Sequence, residues 1–218
     1  MAVCNQGLFV TIEGPDGSGK STQLKLLSKH LDSLGHKHIV TRDPGGTSLG
    51  KQIRHILLRA ETPVCSVTEL LLYEADRAQH IYEVIEPALK EGLLVLCDRY
   101  IDSTRAYQGY GRGLDLELID KLNLIATNGL MPQLTILFDI DSQTGLGRLH
   151  PTGRDRLERE ALEFHQKVRQ GYLTLAGSEP ERWHILDASR ALSVVQTDLR
   201  KILHEKLGLP GLIDKPVA

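Results

Sequence analysis

The sequence predicts a three-layer α/β domain, a parallel sheet of about five strands flanked by helices. Three observations carry this expectation. The apolar runs at residues 8–12, 93–97 and 134–138 are nearly continuous, the pattern of strands covered on both faces. The stretches between them place apolar residues at helical spacing. The two kinds of segment alternate along the chain, the order that builds crossover units.

In chain order, residues 8–12 read as a buried strand followed by a glycine-rich turn. Residues 21–34 carry Leu24, Leu27, Leu31 and Leu34 on one helical face, and Gly35 stops the helix. Residues 38–41 form a second strand, Pro44-Gly45-Gly46 a turn and residues 48–59 a helix. Residues 67–91 read as one long helical stretch with a bend near Pro87. A strand at 93–97, a helix at 116–126 and a strand at 134–138 follow. A helix at 156–175, a short strand at 183–186 and a helix at 191–207 close the series. Residues 142–159 break the rhythm with Gly145, Gly147, Pro151 and Gly153 among four arginines, and are expected to leave the sheet as a mobile excursion. The tail, 208–218, holds two prolines and is expected to be a loose end. The whole of 1–218 reads as a single domain.

The composition is that of an ordinary globular chain, with 41% hydrophobic and 25% charged residues. A net charge of −2 gives no general attraction for nucleic acid or an anionic membrane. Cys4, Cys65 and Cys97 fit neither a zinc spacing nor a complete disulfide scheme, so reduced thiols are expected. With no apparent targeting segment at the N-terminus and no membrane-length apolar run, a cytoplasmic setting is the expectation.

The run Gly14-Pro15-Asp16-Gly17-Ser18-Gly19-Lys20-Ser21 matches G-x-x-x-x-G-K-[ST], between a strand and a helix as that motif requires. Its glycines let successive backbone N–H groups curl around an anion, and the helix N-terminus at Ser21 and Thr22 adds positive potential. Lys20 is placed for the β- and γ-phosphates of a triphosphate, and the Ser21 hydroxyl for Mg²⁺. A dinucleotide fingerprint would need a third glycine where Thr22 stands. Asp98, ending the strand at 93–97, shares the rim of the phosphate loop and suits the metal; its plainer reading is a turn aspartate. No Asn/Thr-Lys-x-Asp tetrad for guanine occurs. Arginines recur at Arg42, Arg54, Arg77, Arg99 and between 148 and 159, and arginine binds phosphate oxygens in pairs.

Four strings are more specific: residues 9–22 around the phosphate loop, Thr41-Arg42-Asp43-Pro44-Gly45-Gly46-Thr47, residues 69–80 ending Asp76-Arg77-Ala78-Gln79-His80, and residues 98–109 beginning Asp98-Arg99-Tyr100. Together, and in this order, they resemble the thymidylate kinases, over nearly the whole chain. The resemblance implies the P-loop nucleoside monophosphate kinase fold, transfer of the γ-phosphoryl of ATP to dTMP with Mg²⁺, and a homodimer built through helices. It implies that Asp16 accepts from the sugar 3′-hydroxyl, that Arg99 holds the acceptor phosphate with Arg54 nearby, and that Gln108 lines the pocket. Tyr73 would stack on thymine, Arg77 would meet a base carbonyl, Thr104 the ring nitrogen, and Tyr107 would crowd a 2′-hydroxyl. Taken singly, Tyr73 and Tyr107 also fit plain packing, and Asp76 with Arg77 a surface ion pair. A kinase of another nucleotide and a P-loop binding module without transfer activity remain the alternatives.

Two positions depart from the family pattern. Asp43 stands where a glutamate is usual, and Tyr73 where a phenylalanine is usual, adding a hydroxyl to be satisfied. The loop also holds no arginine, which some family members have. The catalytic cation is therefore expected from Arg148, Arg154 or Arg156, in a segment resembling the family's lid. The acceptor is a phosphate monoester already largely dianionic at neutral pH, so no general base is required. Positioning and charge stabilisation by Lys20, Arg99 and the lid arginines carry the chemistry.

Overall fold

The computed structural model describes residues 7–150, 152 and 154–213. Cys4, Pro151, Gly153 and the last five residues of the expected tail lie outside the described residues. Strands β1 (Leu8–Glu13), β2 (His38–Arg42), β3 (Leu94–Asp98), β4 (Leu134–Asp139) and β5 (Trp183–Asp187) form one parallel sheet in the order β2-β3-β1-β4-β5. The five-strand parallel sheet expected from the apolar runs is therefore present.

Alternation along β1 divides the core. Val10 and Ile12 share one apolar cluster with Leu27 and Leu31 of helix α1 (Lys20–Leu34) and Leu199 and Leu203 of the C-terminal helix (Leu192–Leu207). Phe9 points to the opposite face, where it meets the Tyr100 ring edge-on at 4.9 Å. Burying each such side chain contributes about 1.5–3 kcal/mol. The chain lays β3 on one side of β1 and then crosses to β4 on the other. The loops after β1 and β3 thus open together at the carboxyl rim, where ligands bind in such sheets. Register places Ile12 beside Asp98, which fixes the phosphate loop next to that carboxylate.

Helices α2 (Ser48–Arg59) and α3 (Ser66–His80) match their expected places. The long stretch at 67–91 is interrupted earlier than expected. A wide turn, Ile81–Ile85, has Glu86 N donating to Ile81 O, and α4 (Glu86–Lys90) follows. Pro87 supplies no N–H and its ring crowds the carbonyl one turn back, so the irregularity falls just upstream of it. Helix α5 (Ile101–Thr104), continued by wide turns over Arg105–Gly111, was not expected from the sequence, because Gly109 and Gly111 interrupt any helical stripe. Helix α6 (Leu116–Thr127) then leads into β4.

Three further expectations are corrected. The excursion at 142–159 begins as a short helix, α7 (Ser142–Arg148), capped by Asp141 Oδ1 accepting from Thr144 N. The helix expected at 156–175 is α8 (Leu162–Ser178). Residues 156–160 form turns instead, because Asp155 Oδ1 accepts from Leu157 N and Glu158 N while Arg156 N donates to Leu58 O on α2. The C-terminal stretch is not loose up to residue 213. Leu212 is fully buried in the α1 core cluster after α9 (Leu192–Leu207), and His36 Nε2 lies 2.9 Å from Pro210 O.

Candidate active site

Gly14, Gly17 and Gly19 have φ values of 139°, 75° and 88°, a region open to glycine, and they curl the chain into the start of α1. A Cβ at Gly17 would lie 1.9 Å from Gly145 O, so α7 rests directly on the loop. Lys20 Nζ donates to Gly14 O and Pro15 O, both at 2.9 Å, and to Ser18 Oγ at 3.2 Å. Burial, helped by the Arg99 charge, pushes the Lys20 pKa down to about 8 against the pull of Asp98 and Asp16. Gly17, Gly19, Lys20, Ser21, Thr22 and Asp98 line a cavity of about 280 Å³.

Ser21 Oγ donates to Asp98 Oδ2 at 2.9 Å, and Arg42 lies 3.8 Å from the same carboxylate oxygen. A hydroxyl and a carboxylate side by side on the phosphate cavity are the hard oxygen donors that suit Mg²⁺. Asp43, Asp76 and His80 also converge, with one ligand atom from each within 4.8 Å; the protein engages most of their polar atoms, but Asp76 Oδ2 and His80 Nδ1 have no partner among the described residues. Arg77 donates to both Asp43 oxygens, Gly45 N donates to Asp76 Oδ1, and His80 Nε2 lies 2.6 Å from Thr41 Oγ1.

A narrower cavity of about 60 Å³ adjoins the first and is lined by Arg54, Tyr73, Arg77, Thr104, Tyr107 and Gln108. All the residues expected to hold the acceptor therefore meet at one place. Asp16, Asp43, Arg54, Arg99 and Asp155 line both cavities and form the seam between them.

Arg99 is the centre of that seam. Its φ of 75°, unusual for a residue with a side chain, turns the guanidinium back towards the loop. Nη2 donates to Asp16 Oδ1 at 2.6 Å and Tyr107 Oη at 3.0 Å, and the guanidinium lies 4.9 Å from the Tyr107 ring centre. Tyr107 Oη in turn donates to Asp16 Oδ2 at 2.7 Å. Burial opposes the Asp16 charge, but Arg99 and Lys20 outweigh it and hold the carboxyl low. On the far side, Arg99 Nη1 donates to Ser103 Oγ and Tyr172 Oη, and both hydroxyls lie against Glu13 Oε2. Glu13 Oε1 accepts from Tyr100 N at 2.7 Å. Complete burial, reinforced by Asp102, raises the Glu13 pKa to about 8.

The Asp76–Arg77 surface ion pair does not occur. Both residues are buried, and Arg77 pairs with Asp43 and Glu74 instead. Its remaining donors reach Asn123 Oδ1 and Thr104 Oγ1, both at 2.8 Å, and Tyr100 O. Arg77 lines the acceptor cavity, but its guanidinium is fully engaged by the protein. Asp43, the shorter of the two family alternatives at that position, still reaches Nε at 2.9 Å. Tyr73 packs beside the cluster containing Tyr107 and Leu157, and burial, with Glu69 nearby, raises its pKa. Arg54 Nη1 donates to Pro44 O.

The three lid arginines are folded onto backbone carbonyls. Arg148 donates to Ala188 O and Ser189 O, Arg154 to Leu146 O, and Arg156 to Leu57 O. None of them lines either cavity; Leu149, Asp155, Leu157 and Glu158 represent their segment there. Sequence reasoning missed Glu13, Glu69, Ser103 and Tyr172, the residues that hold Arg99 and Gln108. A carboxylate within an apolar strand, as at Glu13, was the one available signal.

Comparison with known proteins agrees with this geometry. The thymidylate kinase family model matches residues 12–199. The chain is 48% identical to the thymidylate kinase of Pelotomaculum thermopropionicum, over 93% of this chain and 95% of that one. It is 51% identical to that of Carboxydothermus hydrogenoformans, over 94% of this chain and 100% of that one. The crystal structure of thymidylate kinase from Ehrlichia chaffeensis superposes with a TM-score of 0.76 at 34% identity, covering 91% of this chain and 99% of that chain. With a phosphate loop and an acceptor cavity meeting at Arg99, and a family match spanning both, the chain belongs to the thymidylate kinase family.

Proposed function

We propose that the protein transfers the γ-phosphoryl group of ATP to dTMP, giving dTDP, with Mg²⁺ held through Ser21 and Asp98. The observation that carries this reading is the seam at Asp16 and Arg99, which joins the phosphate-loop cavity to the cavity lined by Tyr73, Thr104 and Gln108. Two anions must approach each other there. Lys20, Arg99 and Arg54 supply fixed positive charge to offset their repulsion. Asp16, held by Arg99 and Tyr107, faces the sugar side of the acceptor while belonging to the donor's loop. When bound, Mg²⁺ supplies further charge to the β- and γ-phosphate oxygens. The lid arginines Arg148 and Arg154 move from their carbonyls to the phosphates as the segment closes over the donor, while Arg156 stays paired with Glu69.

A coupled assay with ATP against dTMP, dUMP, UMP, dCMP and thymidine, with Lys20→Ala as control, tests the reading. Fastest turnover on dTMP, dependent on Mg²⁺ and lost in Lys20→Ala, is expected; ATP binding with no dTDP formed overturns it. Chelation should abolish turnover, and Asp98→Asn should raise the Mg²⁺ concentration needed for half-maximal rate.

The protein is further proposed to be a homodimer through α3 and α6. Val67 and Leu71 on α3 and Leu124 and Ile125 on α6 are each about half or more exposed, on two helices that pack against each other. Sedimentation should give twice the chain mass, and Leu71→Asp with Leu124→Asp should give monomers; a wild-type monomer at micromolar concentration overturns it.

A further inference from the structure

Gln108 lines the acceptor cavity from the same helical stretch as Thr104, one turn before it. What holds its amide decides what that amide can recognise. Gln108 Nε2 donates to Glu69 Oε1 at 2.7 Å, and both side chains are buried. Glu69 stands on α3 one turn before Tyr73. Its carboxylate also accepts from Arg112 Nε at 3.3 Å, Arg112 Nη2 at 3.2 Å and Arg156 Nη2. Burial acts to raise its pKa, but the hydrogen bonds from Arg112 and Gln108 and the Arg112 charge prevail, so the carboxyl is held below its ordinary value. Glu69 is therefore an ionised, acceptor-only partner at neutral pH.

We propose that Glu69 is a positioning residue for base specificity: by accepting from Gln108 Nε2 it fixes the amide with its carbonyl oxygen left as acceptor, which suits thymine and rejects cytosine. The proposal rests on the dTMP kinase reading above. A thymine ring presents N3–H as a donor beside a carbonyl acceptor. A cytosine ring presents N3 as an acceptor beside an amino donor. A glutamine free to rotate by 180° serves either ring, because its two ends exchange roles. Gln108 cannot exchange them, because rotation would set Oε1 against the Glu69 carboxylate with no donor between. Cytosine would then leave a buried polar group unpaired, the strongest basis for discrimination in such sites. Arg112 and Arg156 share the charge of this carboxylate, so neither alone is needed to keep it an acceptor for Gln108.

The test compares kcat/KM for dTMP and dCMP, with ATP, in wild type, Glu69→Gln, Gln108→Leu and the double variant. Glu69→Gln is isosteric and can itself donate or accept, so it frees the amide. The dTMP:dCMP ratio should fall about tenfold or more, the worth of one buried hydrogen bond. On the Gln108→Leu background the same change should move the ratio less than about twofold. Glu69→Asp, which keeps the charge for Arg112 and Arg156 but withdraws it from Gln108, should relax the ratio as Glu69→Gln does, and serves if the latter does not fold. Arg112→Gln loosens the cluster without removing the acceptor and should keep the ratio. An unchanged ratio in Glu69→Gln or Glu69→Asp, a full fall on the Gln108→Leu background, or an equal fall in Arg112→Gln overturns the proposal. A wild type inert on dTMP would instead overturn the function on which it rests.

Discussion

Arg99 Nη2 lies 2.6 Å from Asp16 Oδ1, so a residue of the phosphate loop and the arginine after β3 form one ion pair on the seam between the two cavities. Asp16→Asn keeps the shape and removes the charge that orients Arg99. It should lower kcat/KM for dTMP by about 10–100-fold, or about 1.4–2.7 kcal/mol of transition-state stabilisation. KM for ATP should change far less, because Lys20 and the loop backbone remain. Steady-state kinetics with each substrate varied in turn decides it; equal losses for both substrates would mean a collapsed loop instead.

The Lys20 amine gives a pH signature. Its pKa lies near 8 rather than 10.5, with burial the leading cause, so the free protein loses this charge as pH rises through about 8. A triphosphate favours the charged form and shifts the pKa back up. Since kcat/KM reports the free enzyme and kcat the complex, kcat/KM for ATP should fall above about pH 8 while kcat stays flat to higher pH. Coincident limbs in the two profiles would refute this account of Lys20.

Glu13 makes a stability prediction of definite sign. Its pKa is raised from 4.5 to about 8, so the folded state holds a proton the unfolded chain releases. The stabilisation from that proton is complete below pH 4.5 and is lost as pH rises through about 8. Glu13→Gln resembles the protonated form and can still accept from Tyr100 N while donating to Ser103 and Tyr172. The variant should match wild type in Tm near pH 5 and exceed it near pH 9, by about 2–4 °C for each kcal/mol recovered. A variant less stable than wild type at both pH values would show that the buried charge, not the proton, holds Arg99.

Asp43 and Arg77 line the acceptor cavity and also carry a structural risk. The pair is buried on both sides, with each side chain 1% exposed, and removing one partner strands the other's charge. Asp43→Ala should cost about 3–5 kcal/mol in chemical denaturation. Asp43→Glu, the residue usual in the family, should cost less than about 1.5 kcal/mol if the longer side chain repacks.

These residues also mark how far the sequence could be read. The β1 and β3 runs and the G-x-x-x-x-G-K-S spacing are local patterns, and they located the sheet, the loop and Asp98. Ion-pair partners are not local. Nothing around Arg77 says that its charge is answered by Asp43, 34 residues away, rather than by Asp76 beside it. Gly145 and Gly147 read as breakers, yet α7 forms through both; at Gly145 a glycine is required by packing, since a Cβ there would lie 2.6 Å from Asp16 O. Glu69 was invisible for the opposite reason: its charge on a helix looks ordinary until Gln108, Arg112 and Arg156 converge on it.

The lid arginines give the sharpest prediction about movement. Among the described residues, Arg148 and Arg154 hydrogen-bond only to backbone carbonyls, at 2.9 Å to Ala188 O and 2.9 Å to Leu146 O. Such bonds exchange for phosphate contacts at small cost, since each is worth about 1.5–3 kcal/mol and is replaced by a charge-assisted one. Arg156 differs, because it is also paired with buried Glu69, and releasing it would leave that carboxylate short of a donor. Arg148→Ala or Arg154→Ala should therefore lower kcat tenfold or more while KM for dTMP shifts less than about threefold, the pattern of a contact made only in the transition state. Arg156→Ala should act chiefly on dTMP, through Glu69 and Gln108. If neither Arg148→Ala nor Arg154→Ala lowers kcat tenfold, the catalytic cation does not come from these two lid residues, and Arg42 and Arg54, which already line the phosphate cavity, take their place as candidates.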